Sequence, residues 1–163
     1  MSDPDQIPWW KGTRGEWYVV AQIVLFVLVA VGPRHVPGVD VRPWAWAAAV
    51  AGLLLMAAGA ALLLAALLKL GRNLSPLPYP KDGGTLVQTG AYGLVRHPIY
   101  SGAIAVALGW ALCVHGELTL AYAVALFVLF AVKSRREERW LVDKFTEYPD
   151  YQRRVRRLIP FVY

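Results

Sequence analysis

Cysteine is almost missing from this chain. Cys113 is the single example, set inside an apolar run, which excludes an internal disulfide and any cysteine-cluster metal site. Charge is also scarce: 17% of residues are charged against 57% hydrophobic, outside the balance of an ordinary soluble domain. No strand-like run leads into a G-x-G-x-x-G turn, the signature of a Rossmann nucleotide site. Internal repeats are lacking, and the one biased tract is an alanine- and leucine-rich apolar run. The first apolar run follows a mixed-charge, tryptophan-bearing segment and has no small-residue cleavage site after it. The expectation is therefore a retained N-terminus rather than a secretory leader.

What the chain does have is four apolar stretches, Trp17 to Val31, Trp44 to Leu70, Ile99 to His115 and Leu118 to Val132. Crossing a hydrocarbon core takes about 20 helical residues, which the second supplies alone and the others reach only with flanking residues. The fourth can continue through Lys133 to Leu141, where no glycine or proline interrupts it. The third is bounded by Pro98, suited to a first helical turn, and by Gly116, a natural stop. Gly116-Glu117 leaves only a tight connection, so the third and fourth stretches are expected to form an antiparallel hairpin. The fold expectation is all-α: a polytopic membrane protein of about four transmembrane helices with a cytoplasmic C-terminal helical segment. At 163 residues it reads as one domain, 1–163.

Orientation follows from the cations. Lys11 and Arg14 precede the first span, Lys69, Arg72, Lys81 and Arg96 lie between the second and third, and nine more follow the fourth. The opposite connections hold only Arg34 and Arg42, so both termini and the middle loop are expected in the cytoplasm. Trp9, Trp10, Trp17, Trp44, Trp46 and Trp140 fall near span ends, where amphipathic rings suit the headgroup layer. The basic run Arg153-Arg154-Val155-Arg156-Arg157 adjoins this membrane domain, so membrane lipids rather than nucleic acid are its expected partner. Small residues in the second span, from Ala47 through Gly52 and Gly59 to Ala66, give a surface for close helix packing. The loop from Gly71 to Gly84 carries three alternating prolines and cannot be helix. A loop of that length in so small a chain is expected to be a lid or a binding segment.

Two polar clusters reach one membrane level through the hairpin. One is the string Gly90-Ala91-Tyr92-Gly93-Leu94-Val95-Arg96-His97-Pro98-Ile99-Tyr100-Ser101-Gly102; the other is Arg135-Arg136-Glu137-Glu138-Arg139. Polar groups at a membrane entrance need partners, which makes the pair a candidate functional site. Neighbours on a helix point in different directions, so Glu137 and Glu138 are expected to divide roles, one toward a ligand and one toward an arginine.

The string, the paired glutamates, Phe145, Tyr148, Tyr151 and Ile159-Pro160-Phe161 together resemble the isoprenylcysteine carboxyl methyltransferase family and its relatives, the phospholipid N-methyltransferases. Asn73-Leu74-Ser75-Pro76 is similar to the loop of bacterial members. The resemblance covers roughly residues 70–163, and the first span contributes little to it. It implies an S-adenosyl-L-methionine-dependent methyltransferase whose cofactor site lies among helix ends and the C-terminal segment. The family's His-Pro-x-Tyr element and paired glutamates map to His97, Pro98, Tyr100, Glu137 and Glu138. Gln88, Gly90, Tyr92 and Gly102 complete the candidate cofactor-binding set, and no metal site is expected.

For the zwitterionic sulfonium cofactor so implied, a glutamate can accept from ribose hydroxyls or the ammonium, and His97 can bond the adenine or the carboxylate. Tyr92 and Tyr100 can stack on the adenine or supply a hydroxyl. Arg96, or a tail arginine such as Arg153, is the candidate for orienting an acceptor carboxylate through paired donors. The expected reaction is carboxyl O-methylation of an isoprenylcysteine-like or other lipidic small substrate, in a bacterial or archaeal plasma membrane. Phospholipid or amine N-methylation and thiol S-methylation are the alternatives, then an NADPH-dependent membrane reductase or a noncatalytic membrane protein. The tail after Glu138 is expected to fold over the site.

Overall fold

The computed structural model describes residues 15–36, 45–71 and 84–163. Among them are six helices: α1 (Glu16–Val31), α2 (Ala45–Leu70), the single turn α3 (Ala91–Leu94), α4 (Pro98–Val114), α5 (Glu117–Lys144) and α6 (Tyr148–Arg154). The described residues form no strand, only an isolated parallel bridge between Val95 and Arg156. The expected proline-rich loop falls, for residues 72–83, outside the described residues, as do Trp9, Trp10 and Trp44.

Pro98 opens α4 as its first helical residue, with His97 as the cap. The α4–α5 turn is as tight as the sequence implies, but its left-handed residue is His115 (φ 51°), not Gly116. Gly116 is extended and precedes α5, and it is small for another reason: a Cβ there would stand 2.6 Å from Thr119 Oγ1. His115 is held in that backbone state partly through its ring, whose Nε2 lies 2.7 Å from the Ala45 carbonyl at the start of α2. On the same side of the bundle, the Leu118 N–H donates to the Arg34 carbonyl at 3.1 Å, and His35 Nδ1 meets Glu117 Oε2 at 3.0 Å.

α5 runs uninterrupted through 28 residues, about 42 Å at 1.5 Å each. Its outward stripe, Leu120, Val124, Val128 and Val132, is exposed and apolar, while Ala123, Leu126 and Phe130 are buried against Ala103, Ile104 and Ala107 of α4 and Val29 of α1. After Val132 the same helix turns polar. By length and composition α2 and α5 are able to cross a membrane; α1 and α4 are apolar but shorter.

The closest packing is between α2 and α4, and it is built from four glycines. A Cβ on Gly52 would lie 2.5 Å from the Gly109 carbonyl oxygen, and one on Gly109 would lie 2.5 Å from that of Gly52. Two helical turns away the relation repeats, with Gly59 and Gly102 facing each other's carbonyls at 2.8 and 2.7 Å. The backbones are therefore in direct contact, an arrangement that suits lipid, where close packing replaces hydrophobic exclusion as the force between helices. Gly109→Leu is expected to destabilise the detergent-solubilised protein by about 1–3 kcal/mol, the cost of overpacking, measured as a fall in melting temperature. Gly93→Ala, whose added Cβ would meet its nearest neighbour at 3.7 Å, is the neutral control.

Candidate functional site

The polar string and the C-terminal tail are joined by backbone pairing. After α3, Val95 is extended, and the N–H groups of Arg96 and His97 donate to the carbonyls of Arg156 and Arg157 at 2.8 and 3.1 Å. Ser101 Oγ adds a bond to the Leu158 carbonyl at 2.6 Å, and Tyr151 Oη donates to the Tyr92 carbonyl at 2.6 Å. The Arg154 side chain reaches Gln88 Oε1 at 2.9 Å. Tyr148 and Tyr151 are buried, and burial raises both phenols, which keeps them protonated donors. The tail does fold over the string.

Glu138 lies nearly two turns beyond the apolar part of α5 and ties these pieces together. Its Oε1 receives Arg96 Nε at 2.8 Å and faces His97 Nε2 at 3.2 Å; its Oε2 receives Gln152 Nε2 at 3.2 Å and Arg157 Nε at 3.1 Å. Burial works to raise this carboxyl, but the bonds from His97 and Arg96 win and hold it down at about 2. Arg96 is equally committed, since its Nη1 donates to the carbonyls of Gln152, at 3.0 Å, and Val155.

Glu137 points elsewhere. It accepts from Tyr100 Oη at 2.8 Å, stands 3.7 Å from His97 Nδ1, and keeps about a quarter of its side chain exposed. Glu138 is thus the arginine-facing member of the pair, and Glu137 the one that remains presentable to a ligand. The His97 and Tyr100 rings stack at 5.4 Å between centroids, and Tyr100 stacks on Phe130 at 4.5 Å. Tyr92 is buried beside them, its phenol raised by burial and by the charge of Glu137.

Of the residues singled out in the sequence, Tyr92, Arg96, His97, Pro98, Tyr100, Glu137 and Glu138 come together. Gln88 lies at the edge, held by Arg154. Gly90 takes a positive φ of 66° that favours glycine, and its nearest neighbour would be the Lys69 side chain. Gly102 sits in the α2–α4 seam, where its small size serves the Gly59 carbonyl. Arg153 is 77% exposed and pairs with Asp150, so it is not brought to the cluster.

The sequence reading missed Gln152 and Arg157 as Glu138 partners, and it missed a pair between helices. Lys133, 1% exposed, donates from Nζ to Gln22 Oε1 of α1 at 2.8 Å. The signal was there: Gln22 is a lone amide inside an apolar span, and Lys133 lies one turn before Glu137.

Because Glu138 is depressed in the folded state from an ordinary 4.5 to about 2, it contributes on the order of 3 kcal/mol of stability above pH 4.5. That contribution disappears as pH falls through the interval toward 2. Melting temperature in detergent is expected to fall along this acid limb, and Glu138→Gln is expected to flatten the limb while lowering the neutral plateau. Parallel acid limbs in the two proteins would contradict this assignment.

Comparison with known proteins places this chain in a family. The family model described as phospholipid methyltransferase matches residues 47–148. Protein-S-isoprenylcysteine O-methyltransferase of Saccharomyces cerevisiae is 37% identical over 79 residues, covering 47% of this chain and 33% of the relative. Its Mus musculus counterpart is 30% identical over 127 residues, covering 76% and 44%. The cobalt-zinc-cadmium resistance protein CzcN of Cupriavidus metallidurans is 31% identical over 81 residues, 49% of this chain and 38% of that one. The chain spans less than half the length of these relatives. With nearly all of α2, the whole of α4 and α5 and both polar clusters inside the matched region, the chain belongs to the phospholipid methyltransferase family.

Proposed function

We propose that this protein is an integral membrane S-adenosyl-L-methionine-dependent methyltransferase, carboxyl O-methylating an isoprenylcysteine-like or other lipidic acid. The observation that carries the proposal is the meeting of Glu137 with His97 and Tyr100 beneath a docked tail. Family membership and the names of the isoprenylcysteine relatives support the acceptor class. In this reading all four long helices span the bilayer, the shorter α1 and α4 with help from flanking residues, and both termini are cytoplasmic. Residues 1–163 act as one domain, with the cofactor site mainly within 70–163.

The donor set suits the cofactor. A part-exposed carboxylate, Glu137, is placed to accept from ribose hydroxyls or the methionine ammonium. His97 offers an imidazole to the adenine or the carboxylate, while Tyr92 and Tyr100 offer ring faces and hydroxyls. Gly90, Gln88 and Pro98 shape the entrance around them. When bound, the sulfonium supplies an electrophilic methyl group. A carboxylate acceptor attacks without a general base, so the chain's task is to align the two partners and keep water out. Glu138 and Arg96 serve by fixing the tail: their bonds to Gln152, Val155 and Arg157 hold the cover in place.

Titration calorimetry in detergent with S-adenosylhomocysteine and, separately, NADPH tests the reading. Binding of the homocysteine compound alone is expected, weakened at least about tenfold in Glu137→Gln and in His97→Ala, as expected for losing a charged hydrogen bond. Heat with NADPH but none with S-adenosylhomocysteine would favour a reductase and overturn the proposal. With labelled methyl donor, a prenylcysteine acceptor is expected to yield a base-labile product, whereas a base-stable label on phosphatidylethanolamine or a thiol would move the acceptor class.

A further inference from the structure

A lysine at the end of a membrane span ordinarily extends toward the headgroups, burying its stem and keeping its ammonium wet. Lys133 does the opposite. It follows Val132, the last residue of the lipid-facing stripe of α5, yet its side chain turns inward and is 1% exposed. Its ammonium bonds Gln22 Oε1 across the α1–α5 contact and lies 5.2 Å from the centre of the Tyr100 ring and 6.0 Å from that of Phe130. Burying a cation at this depth is costly, and chains that retain one generally use it on a substrate or ion path. From the stacking of Tyr100 on His97 and its bond to Glu137, Lys133 is adjacent to the candidate cofactor site, on its membrane side.

What lies beyond Lys133 is apolar. Phe26, one turn after Gln22 on α1, packs on Phe130 with ring centres 6.2 Å apart and lines a cavity of about 360 Å³. The cavity runs between α1, α2 and α4 and is walled by Val29, Met56, Leu63, Ala107 and Trp110 as well. Along α4 it extends from Ala103, one turn past Tyr100, to Trp110, about 10 Å of helix. The Lys133 ammonium and this hydrocarbon-lined space therefore share one ring contact, with Phe130 facing the ammonium and Phe26 lining the cavity.

We propose that Lys133, positioned by Gln22, is the specificity-determining cation of the acceptor site, selecting lipidic acceptors with an anionic head and rejecting cationic ones. The inference deepens the methyltransferase reading and rests on it. Neither of the arginines that the sequence offered for this role takes it: Arg96 is bound to Glu138 and two tail carbonyls, and Arg153 is paired with Asp150 at the surface. Lys133 is a cation that neighbours both Tyr100 of the candidate cofactor site and, through the Phe130–Phe26 contact, the cavity.

The chemistry agrees with a binding rather than an accelerating role. During transfer, one carboxylate oxygen forms a bond to the methyl carbon while the carbon–sulfur bond breaks and its electron pair stays on sulfur. No proton moves, and the acceptor's negative charge is consumed. An ammonium beside the carboxylate therefore favours the bound acid more than the transition state, and its signature is in KM rather than kcat. The same charge repels a protonated amine, so discrimination between acid and amine comes from one residue acting in both senses. Among the described residues, Glu137, one turn along α5, is the acidic neighbour that would oppose the acid. Its carboxylate is directed to Tyr100 and His97, on the cofactor side.

The test uses farnesoic acid and farnesylamine as probes, titrated into the full chain in nanodiscs, with S-adenosylhomocysteine titrated in parallel. Wild type is expected to bind the acid and not the amine. Lys133→Gln is expected to weaken acid binding about tenfold or more while leaving S-adenosylhomocysteine affinity within about twofold, and Lys133→Arg to restore the acid. Gln22→Glu supplies a second variant that keeps the lysine: an internal ion pair then competes with the ligand, and acid binding is expected to fall again. In turnover with labelled donor, the Lys133→Gln loss is expected in KM. Equal binding of acid and amine by wild type, or undiminished acid binding in both variants, overturns the proposal. A joint loss of acid and S-adenosylhomocysteine binding assigns Lys133 a structural role as counter-ion of Glu137 and also overturns it. Failure of wild type to bind S-adenosylhomocysteine at all would instead strike the methyltransferase reading.

Discussion

One carboxylate, that of Glu138, holds three separate parts of the chain in register. It takes donors from the segment before α4, from α6 and from the residues after α6, and it does so from the polar end of a helix whose other end lies among apolar side chains. A buried carboxylate is unfavourable until it is paired, so its four partners are mutually required rather than independently useful. The main-chain bonds from Arg96 and His97 to the tail rest on the same junction, because Arg96 also clamps the Gln152 and Val155 carbonyls. The floor of the site is made by the α4–α5 hairpin and the cover by the tail, with Glu138 as the joint between them.

The two glutamates show how adjacent residues acquire different work. A helix rotates successive side chains by about 100°, which turns Glu138 toward the arginines and Glu137 toward Tyr100 and His97. Their environments push them apart chemically as well. Glu138 is held down by charged donors, whereas burial works to raise Glu137. A carboxylate saturated by protein donors suits architecture, and a less committed one suits a ligand.

Most of this architecture could be read from residue patterns. Apolar runs, Pro98 and the absence of breakers after Val132 gave the long helices to within a residue or two at most ends, and the two-residue connection implied the hairpin. That Glu137 and Glu138 face different partners followed from helix geometry; which of them meets the arginine did not. Other features depend on quantities that a single segment does not encode. That Gly52 faces Gly109, and Gly59 faces Gly102, is a matter of register between two helices; the sequence offered only a surface of small residues. The bridge from Val95 to Arg156 is made by main-chain groups, which every residue carries and no pattern marks. Lys133 was hidden differently: its inward turn depends on how α1 is rotated about its own axis, a relation between two helices that neither one carries alone. The left-handed residue at the α4–α5 turn is a histidine because its ring, bonded to the start of α2, offsets the backbone cost that glycine would have avoided.

α5 has a property that its uninterrupted length confers. With neither glycine nor proline between Leu118 and Lys144, it has no hinge to absorb a change in its own tilt. Its outward apolar stripe ends at Val132, and Glu137 follows a little more than one turn later. In the proposed membrane reading, bilayer thickness thereby becomes an input to the candidate site. A thinner or thicker hydrocarbon layer that tilts or lifts this helix carries the carboxylates with it as a rigid extension, altering how far they stand above the lipid.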